Sequence, residues 1–316
     1  MDVTLVSSKH SKDVMLRTIY DKKDQLGNII ESIRINKPIE ILMEGVDLES
    51  YFPTSQIEGE VVNSIDEIPE DFCFLFLGAW LPGDLSHDRK NVGLLIKAFF
   101  ETFKNKKVTP ALILKTSGGT ASYIDRDNIL DKINIIRKSI KADTLPNVYL
   151  IHGDLKDEDI NKIYNHSKVK TMVNLTKGEG WGRPLLEFSL MKKPMIVSGW
   201  SGHMDFLKPE FNLMISGTLD RVHPSAAFGG ILTTDMAWFF PNLQEVSSFM
   251  SNIYSDYGKY LEGAKRQAFY SKTNFSFEKM TEQLKNHFDK YIPKFAQQVE
   301  LKLPALKKLE LPKLSS

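Results

Sequence analysis

Hydrophobic positions along the chain change period several times, and each change marks an element. Val3 to Val6 alternate and are rich in β-branched residues, which predicts a strand. Ser7 and Ser8 then offer side-chain caps for a helix running to about Tyr20. Ile39 to Met43 form a second apolar run, closed by Glu44-Gly45. A polar stretch with Pro53 and Pro69 leads to a predicted strand at Phe72 to Leu77. From there strands and helices alternate. Val92, Leu95, Ile96, Phe99 and Phe103 recur at helical spacing, as do Ile129, Ile133, Ile136 and Ile140, and Ile160 to Tyr164 make a shorter helix. Ala111 to Leu114, Val148 to Ile151, Thr171 to Leu175 and Met195 to Val197 read as strands, with a further helix from about Pro184 and a last one over 276–290. Strands separated by helices predict an α/β fold: a Rossmann-like parallel sheet with helices on both faces.

Composition narrows the picture. With 316 residues, 42% of them hydrophobic, the chain can bury a substantial core. The formal net charge of +1 provides no overall field to recruit nucleic acid or an anionic membrane, so any basic site must be local. Cys73 is the only cysteine, which excludes an internal disulfide and a cysteine-clustered metal site; inside CFLFLGAWL it reads as a buried small hydrophobe. That run is far shorter than the roughly 20 residues a membrane span needs. The opening MDVTLVSSKHSKDV reads as neither secretory signal nor anchor, so a cytoplasmic location is expected.

Candidate chemistry concentrates in TKGEGWGRPLLEFSLMKKPMIVSGWSGHMDFL, Thr176 to Leu207. Glycines 178, 180 and 182 let backbone approach a ligand closely, and amides at the start of the next helix favour anionic oxygens, for which a diphosphate is the natural guest. Glu179 precedes that helix and Glu187 lies inside it, so both carboxylates can border one cleft and accept hydrogen bonds from sugar hydroxyls. Each residue also has a plainer reading. The turn could hold an NAD or flavin phosphate, although no acidic ribose partner follows some 20 residues on. Lys90, Arg89 and Glu187 could be solvated charges, and Trp181 could simply pack. Asp205 could orient the loop or cap a helix, and His223 reads as an ordinary polar residue. Neither zinc-ligand spacing nor a nucleophile elbow is present.

Two glutamates with seven residues between them, set in GEGWG and followed by KKP and SGHMDF, resemble the signature of the retaining glycosyltransferase family 4 (group 1). This family contains sucrose synthases and many bacterial mannosyl- and glucosyltransferases, and has the GT-B fold of two facing Rossmann-like domains. Ser7 to Val14, EGVD at Glu44 to Asp47, and FLGAWL with Arg89-Lys90-Asn91 extend the resemblance from residue 1 to about 290. The resemblance implies that Lys90 meets the donor phosphates and that Glu187, with Leu186 beside it, binds the nucleotide ribose. Glu179 and the amides of Gly180, Trp181 and Gly182 would meet the transferred sugar and distal phosphate. The donor would be a nucleotide sugar such as a UDP- or GDP-sugar, without metal or cofactor. The family usually has an arginine where Ala79 stands, and Arg89 is the candidate to replace it.

The implied organisation is a remnant of the N-terminal acceptor-side domain over 1–50, a linker over 51–70, the donor domain over 71–275, a returning helix over 276–292 and a Leu/Pro/Lys tail over 293–316. The tail carries LxLPxL at Leu301 to Leu306 and again at Leu309 to Leu314. Two classes of function remain open. One is a transferase, acting alone or with a protein partner that supplies the rest of the acceptor domain or docks the tail. The other is a non-catalytic binding or structural protein that keeps the fold.

Overall fold

The computed structural model describes residues 3–83 and 85–292, so the 293–316 tail and its repeated motif lie outside the described residues. The chain opens with β1 (Thr4–Val6), α1 (Lys9–Arg17), the antiparallel hairpin β2 (Tyr20–Lys23) and β3 (Ile29–Ile33), and β4 (Ile39–Ile41), which returns to pair in parallel with β1. Ser8 caps α1, its Oγ accepting the Ser11 amide at 3.1 Å. The helix stops at Arg17, short of the expected Tyr20, because the chain there turns into the hairpin. The hairpin, not anticipated from the sequence, is set by Asp24: its Oδ1 accepts the amides of Leu26 and Asn28, both at 2.8 Å, while Gly27 takes φ +85°. The stretch read as linker also holds a helix, α2 (Glu60–Asp66), which buries Val62 and Ile65.

The main body follows as β5 (Cys73–Leu77), α3 (Val92–Phe103), β6 (Ala111–Lys115), α4 (Tyr123–Ser139), β7 (Val148–Ile151), α5 (Asp157–Asn165), β8 (Val169–Asn174), α6 (Arg183–Ser189), β9 (Met195–Ser198) and β10 (Leu213–Ile215). These six strands form one sheet in the order β10-β9-β8-β5-β6-β7, every pair parallel. The Rossmann-like parallel sheet covered on both faces is therefore present. Side chains of β5 show why it reads as a continuous apolar run: Cys73 and Leu75 face a core with α2, α5 and α6, while Phe74 and Phe76 face another with α3 and α4. Both cores exclude water fully at β5, where Cys73 to Phe76 are 0% exposed.

After β10 come a second hairpin, β11 (Gly217–Arg221) and β12 (Ala237–Pro241), then α7 (Leu243–Ser255), α8 (Leu261–Asn274) and α9 (Phe277–Tyr291). α7 completes the α3–α4 face through Val246, Met250 and Ile253. α9 runs back to β4: Gln283 accepts the Met43 amide at 3.1 Å, His287 donates to the Ile41 carbonyl at 2.8 Å, and Lys290 and Tyr291 both meet Glu40 at 2.6 Å. Gly45 lies so close to this crossing that a Cβ there would sit 2.7 Å from the Ser276 carbonyl oxygen. Strand order reverses between β5 and β8, and the crevice at their carboxyl ends is where sheets of this type bind ligands.

Phe99 is fully buried, with ring contacts to Phe74 and Phe103 at 6.0 and 5.3 Å. Phe99→Ala is expected to lower unfolding stability by about 3–5 kcal/mol, measured by urea denaturation, since the cavity opens in the centre of the α3 core.

Candidate functional site

The connection between β5 and α3 ends at Asn91, whose φ of +60° is left-handed. Asp88 closes it: its Oδ2 accepts the Val92 amide at 3.0 Å, so the N-terminus of α3 is already occupied by a carboxylate. Lys177, just beyond β8, holds this loop from the other side. Its Nζ donates to the Ser86 carbonyl at 2.5 Å and its amide donates to the Arg89 carbonyl at 2.9 Å. The β12 side of the second hairpin covers it, with the Phe240 ring centroid 4.4 Å and the Trp238 centroid 5.2 Å from Nζ. Burial pulls the Lys177 ammonium down to about 8, against the opposing pull of Asp88. Lys177 is not among the residues expected from the sequence; its position just beyond a buried strand was the available signal.

So held, Arg89 and Lys90 meet Glu179. Lys90 Nζ and Glu179 Oε1 form a short ion pair in which both residues are buried. Arg89 Nη1 donates to Glu179 Oε2 at 3.2 Å and to the Gly178 carbonyl at 2.7 Å. Burial pushes the Glu179 carboxyl up, but Lys90 and Arg89 together outweigh it and keep it below the usual range. Burial also lowers the Lys90 ammonium, partly offset by Glu179. These are charges committed to one another, not solvated surface groups.

The Gly178–Gly182 turn is fixed by its neighbours. The Glu179 amide donates to Ser201 Oγ at 2.9 Å, and its carbonyl accepts the Gly202 amide at 3.0 Å. Ser7 Oγ donates to the Gly180 carbonyl at 3.1 Å, and Asp205 Oδ2 accepts the Lys9 amide at 2.8 Å. Asp205 therefore serves the first turn of α1, and it joins the opening segment to the turn. Gly182 enters α6 at φ +101°, a conformation glycine adopts without strain. Among the described residues, the amides of Gly180, Trp181 and Gly182 donate to no protein acceptor. The Trp181 ring packs on Phe206 and Phe275 at 5.0 and 5.8 Å, so what the residue offers the cleft is its amide.

Glu187 is also buried, 6% exposed, and borders a cavity of about 170 Å³ shared with Leu186, Asp47, Tyr51, Asp157 and Arg183. Tyr164 donates to its Oε2 at 3.1 Å, and Arg183 lies 3.6 Å from its Oε1. Burial raises the Glu187 carboxyl to about 7, against the lowering influence of Arg183 and Tyr164. Burial raises the Glu44 carboxyl, with Arg183 opposing the shift and Glu179 adding to it. His152 is tied to Asp125 at 2.8 Å, and His223 stacks on His87 with centroids 3.8 Å apart, joining the second hairpin to the loop before α3. Among the described residues, no group of three or more His, Cys, Asp or Glu is arranged to hold a metal ion. Among the same residues, no helix is long and apolar enough to cross a membrane.

No protein-family model and no curated protein matches the chain. Solved structures do. Sucrose-phosphate synthase of Thermosynechococcus elongatus superposes with a TM-score of 0.60 and 12% identity over 92% of this chain and 58% of its own. HepE of Anabaena, in complex with UDP and glucose, gives 0.58 and 14% over 92% and 63%. The C-terminal domain of a glycosyl transferase group 1 family protein, LpcC of Francisella tularensis, is covered over 100% of its length by 74% of this chain, at a TM-score of 0.50 and 13% identity. The fold is that of these glycosyltransferases. The chain spans 58% of the length of the synthase and 63% of HepE.

A Cβ on Gly202 would lie 2.1 Å from the Gly180 carbonyl oxygen and 2.6 Å from its carbon, both backbone atoms. Gly202→Ala must therefore displace the turn that carries Glu179. It is expected to cost at least about 3 kcal/mol in unfolding stability by chemical denaturation, far beyond an ordinary surface change.

Proposed function

We propose that the protein transfers a sugar from a nucleoside diphosphate sugar to an acceptor with retention at the anomeric carbon. The observation that carries this reading is the conjunction at the β5–β8 crevice: three consecutive amides with no acceptor among the described residues, beside a buried Lys90–Glu179 pair that the partly exposed Arg89 joins. Such donors suit the oxygens of a diphosphate, and the two cations suit the charge that develops on it as the glycosidic bond breaks. In this assignment Lys90 meets the donor phosphates. Glu179, with the Gly180, Trp181 and Gly182 amides, meets the sugar and distal phosphate. Arg89, already on Glu179, occupies the role left open by Ala79. Glu187 accepts the ribose hydroxyls in its cavity, beside Leu186. Lys90 and Arg89 supply the positive charge, so this assignment calls for no metal or other cofactor.

A uridine donor is favoured over a guanosine one because UDP is the nucleotide named with HepE and with the pneumococcal O-GlcNAc transferase GtfA among the similar structures. Acceptor binding is assigned to structure docked on the opening segment, where Val14, Leu16, Tyr20, Ile29, Ile30 and Ile33 are all exposed. Ala79 favours a second reading, a protein that binds the nucleotide sugar without transferring it; release of UDP from UDP-glucose in the presence of acceptors separates the two.

Calorimetric titration with UDP, GDP and UDP-glucose tests the donor site. Binding of one nucleotide class is expected, weakened by about 1–3 kcal/mol in Lys90→Ala and in Glu187→Ala. Unchanged affinity in both variants would remove the assignment.

Glu187 adds a pH dependence whose sign is fixed. The carboxylate accepts from ribose hydroxyls and forms as pH rises through about 7. Affinity for UDP-glucose, whose phosphates do not titrate there, is expected to rise between about pH 6 and 8 and to stay flat in Glu187→Gln. Stability runs the other way. A folded-state value raised above the unfolded value of about 4.3 contributes stability that is full at low pH and is lost as pH rises through about 7.

A further inference from the structure

On the side of the protein formed by α8 and the turn after α6, a groove of about 360 Å³ has Phe52, Pro53 and Leu190 in its lining and Lys192, Lys265 and Lys272 beside them. Lys265, Phe269 and Lys272 recur at i, i+4 and i+7, so they share one face of α8. Phe269 is 74% exposed, and Phe52 is 45% exposed. Phe269 also borders a second concavity of about 460 Å³, with Phe211, Tyr270 and Arg266. Arg266 is balanced by Glu262 at 3.2 Å. Among the described residues, Lys192, Lys265 and Lys272 form no ion pair with any carboxylate. A chain with a net charge of only +1 thus gathers three unneutralised lysines around an exposed aromatic ring.

We propose that this face docks an acidic peptide segment of a partner protein that carries aromatic or large aliphatic side chains. Charge complementarity selects the acidic chain: the lysines gain partners they lack in the free protein, and carboxylates meeting them near a low-dielectric surface interact more strongly than in bulk water. Shape selects a peptide over a bilayer, because a lipid surface meets a flat or convex face whereas concavities on both sides of Phe269 accept separate side chains of an extended chain. Tyr51 borders both this groove and the Glu187 cavity, so the two are neighbours.

Fluorescence anisotropy with a labelled peptide of aspartate and glutamate carrying two phenylalanines tests the proposal at low salt. The parallel probes are the same peptide with alanine at both phenylalanine positions and phosphatidylcholine vesicles containing phosphatidylserine. The phenylalanine peptide is expected to bind the unmodified protein at least about tenfold tighter than the alanine peptide. Binding should fall at least about tenfold in Lys265→Glu/Lys272→Glu and in Phe269→Ser, with the melting temperature retained. Failure of the phenylalanine peptide to bind, equal binding of both peptides, unchanged binding in the variants, or capture by vesicles without capture by peptide would each overturn it.

Discussion

Two opposite charges placed where the sheet changes direction set the terms for much of this molecule. Taking Lys90 and Glu179 out of water costs several kcal/mol per ion, and only close pairing with further hydrogen bonds offsets it. The surroundings supply those bonds. Arg89 adds a second cation to Glu179, and Lys177 anchors the loop that carries Arg89 and Lys90. Ser201 and Gly202 grip the Glu179 backbone from both of its polar groups. Removing Glu179 would leave Lys90 buried without its carboxylate, which is why the glycine turn and the loop before α3 must be understood as one object.

That object is assembled from segments far apart in sequence. Ser7 and Lys9 reach it from the opening strand and helix, and α9 fastens that same segment back onto the body through Glu40, Ile41 and Met43. The second hairpin reaches it through Lys177 and through the stacked rings of His87 and His223. A ligand at the crevice would therefore touch a frame whose parts brace one another, and preorganised donors of this kind need little rearrangement when charge appears.

Much of this was legible in the residues. Fully buried strands such as CFLFL announce themselves by unbroken apolarity, and GEGWG stands out because it sets one glutamate among three glycines just before a helix. Other parts were illegible for physical reasons. The first hairpin hides its strands because every residue of both is exposed, so no alternation marks them, and the turn depends on one aspartate side chain. α2 sits among prolines and acidic residues and buries only one short stripe, too little to show a period. Lys177 looks like any surface lysine until the rings of β12 are placed over it, a contact made by residues some sixty positions away. Glu187 stood out only through its neighbours in the motif, and its neutral-range carboxyl follows from burial that no local pattern encodes.

The placement of the indole rings has a practical side. The chain has four tryptophans, and all of them stand at the carboxyl edge of the sheet. Trp80 follows β5 and bonds through its amide to Ser117; Trp181 lies in the glycine turn. Trp200 stacks with Phe239 and meets His10 edge-on, and Trp238 covers Lys177. With no indole elsewhere in the chain, tryptophan emission excited at the red edge, where the ten tyrosines do not absorb, is a local signal from the crevice rather than an average over the fold. An unlabelled sample thus contains its own optical gauge of events at that edge.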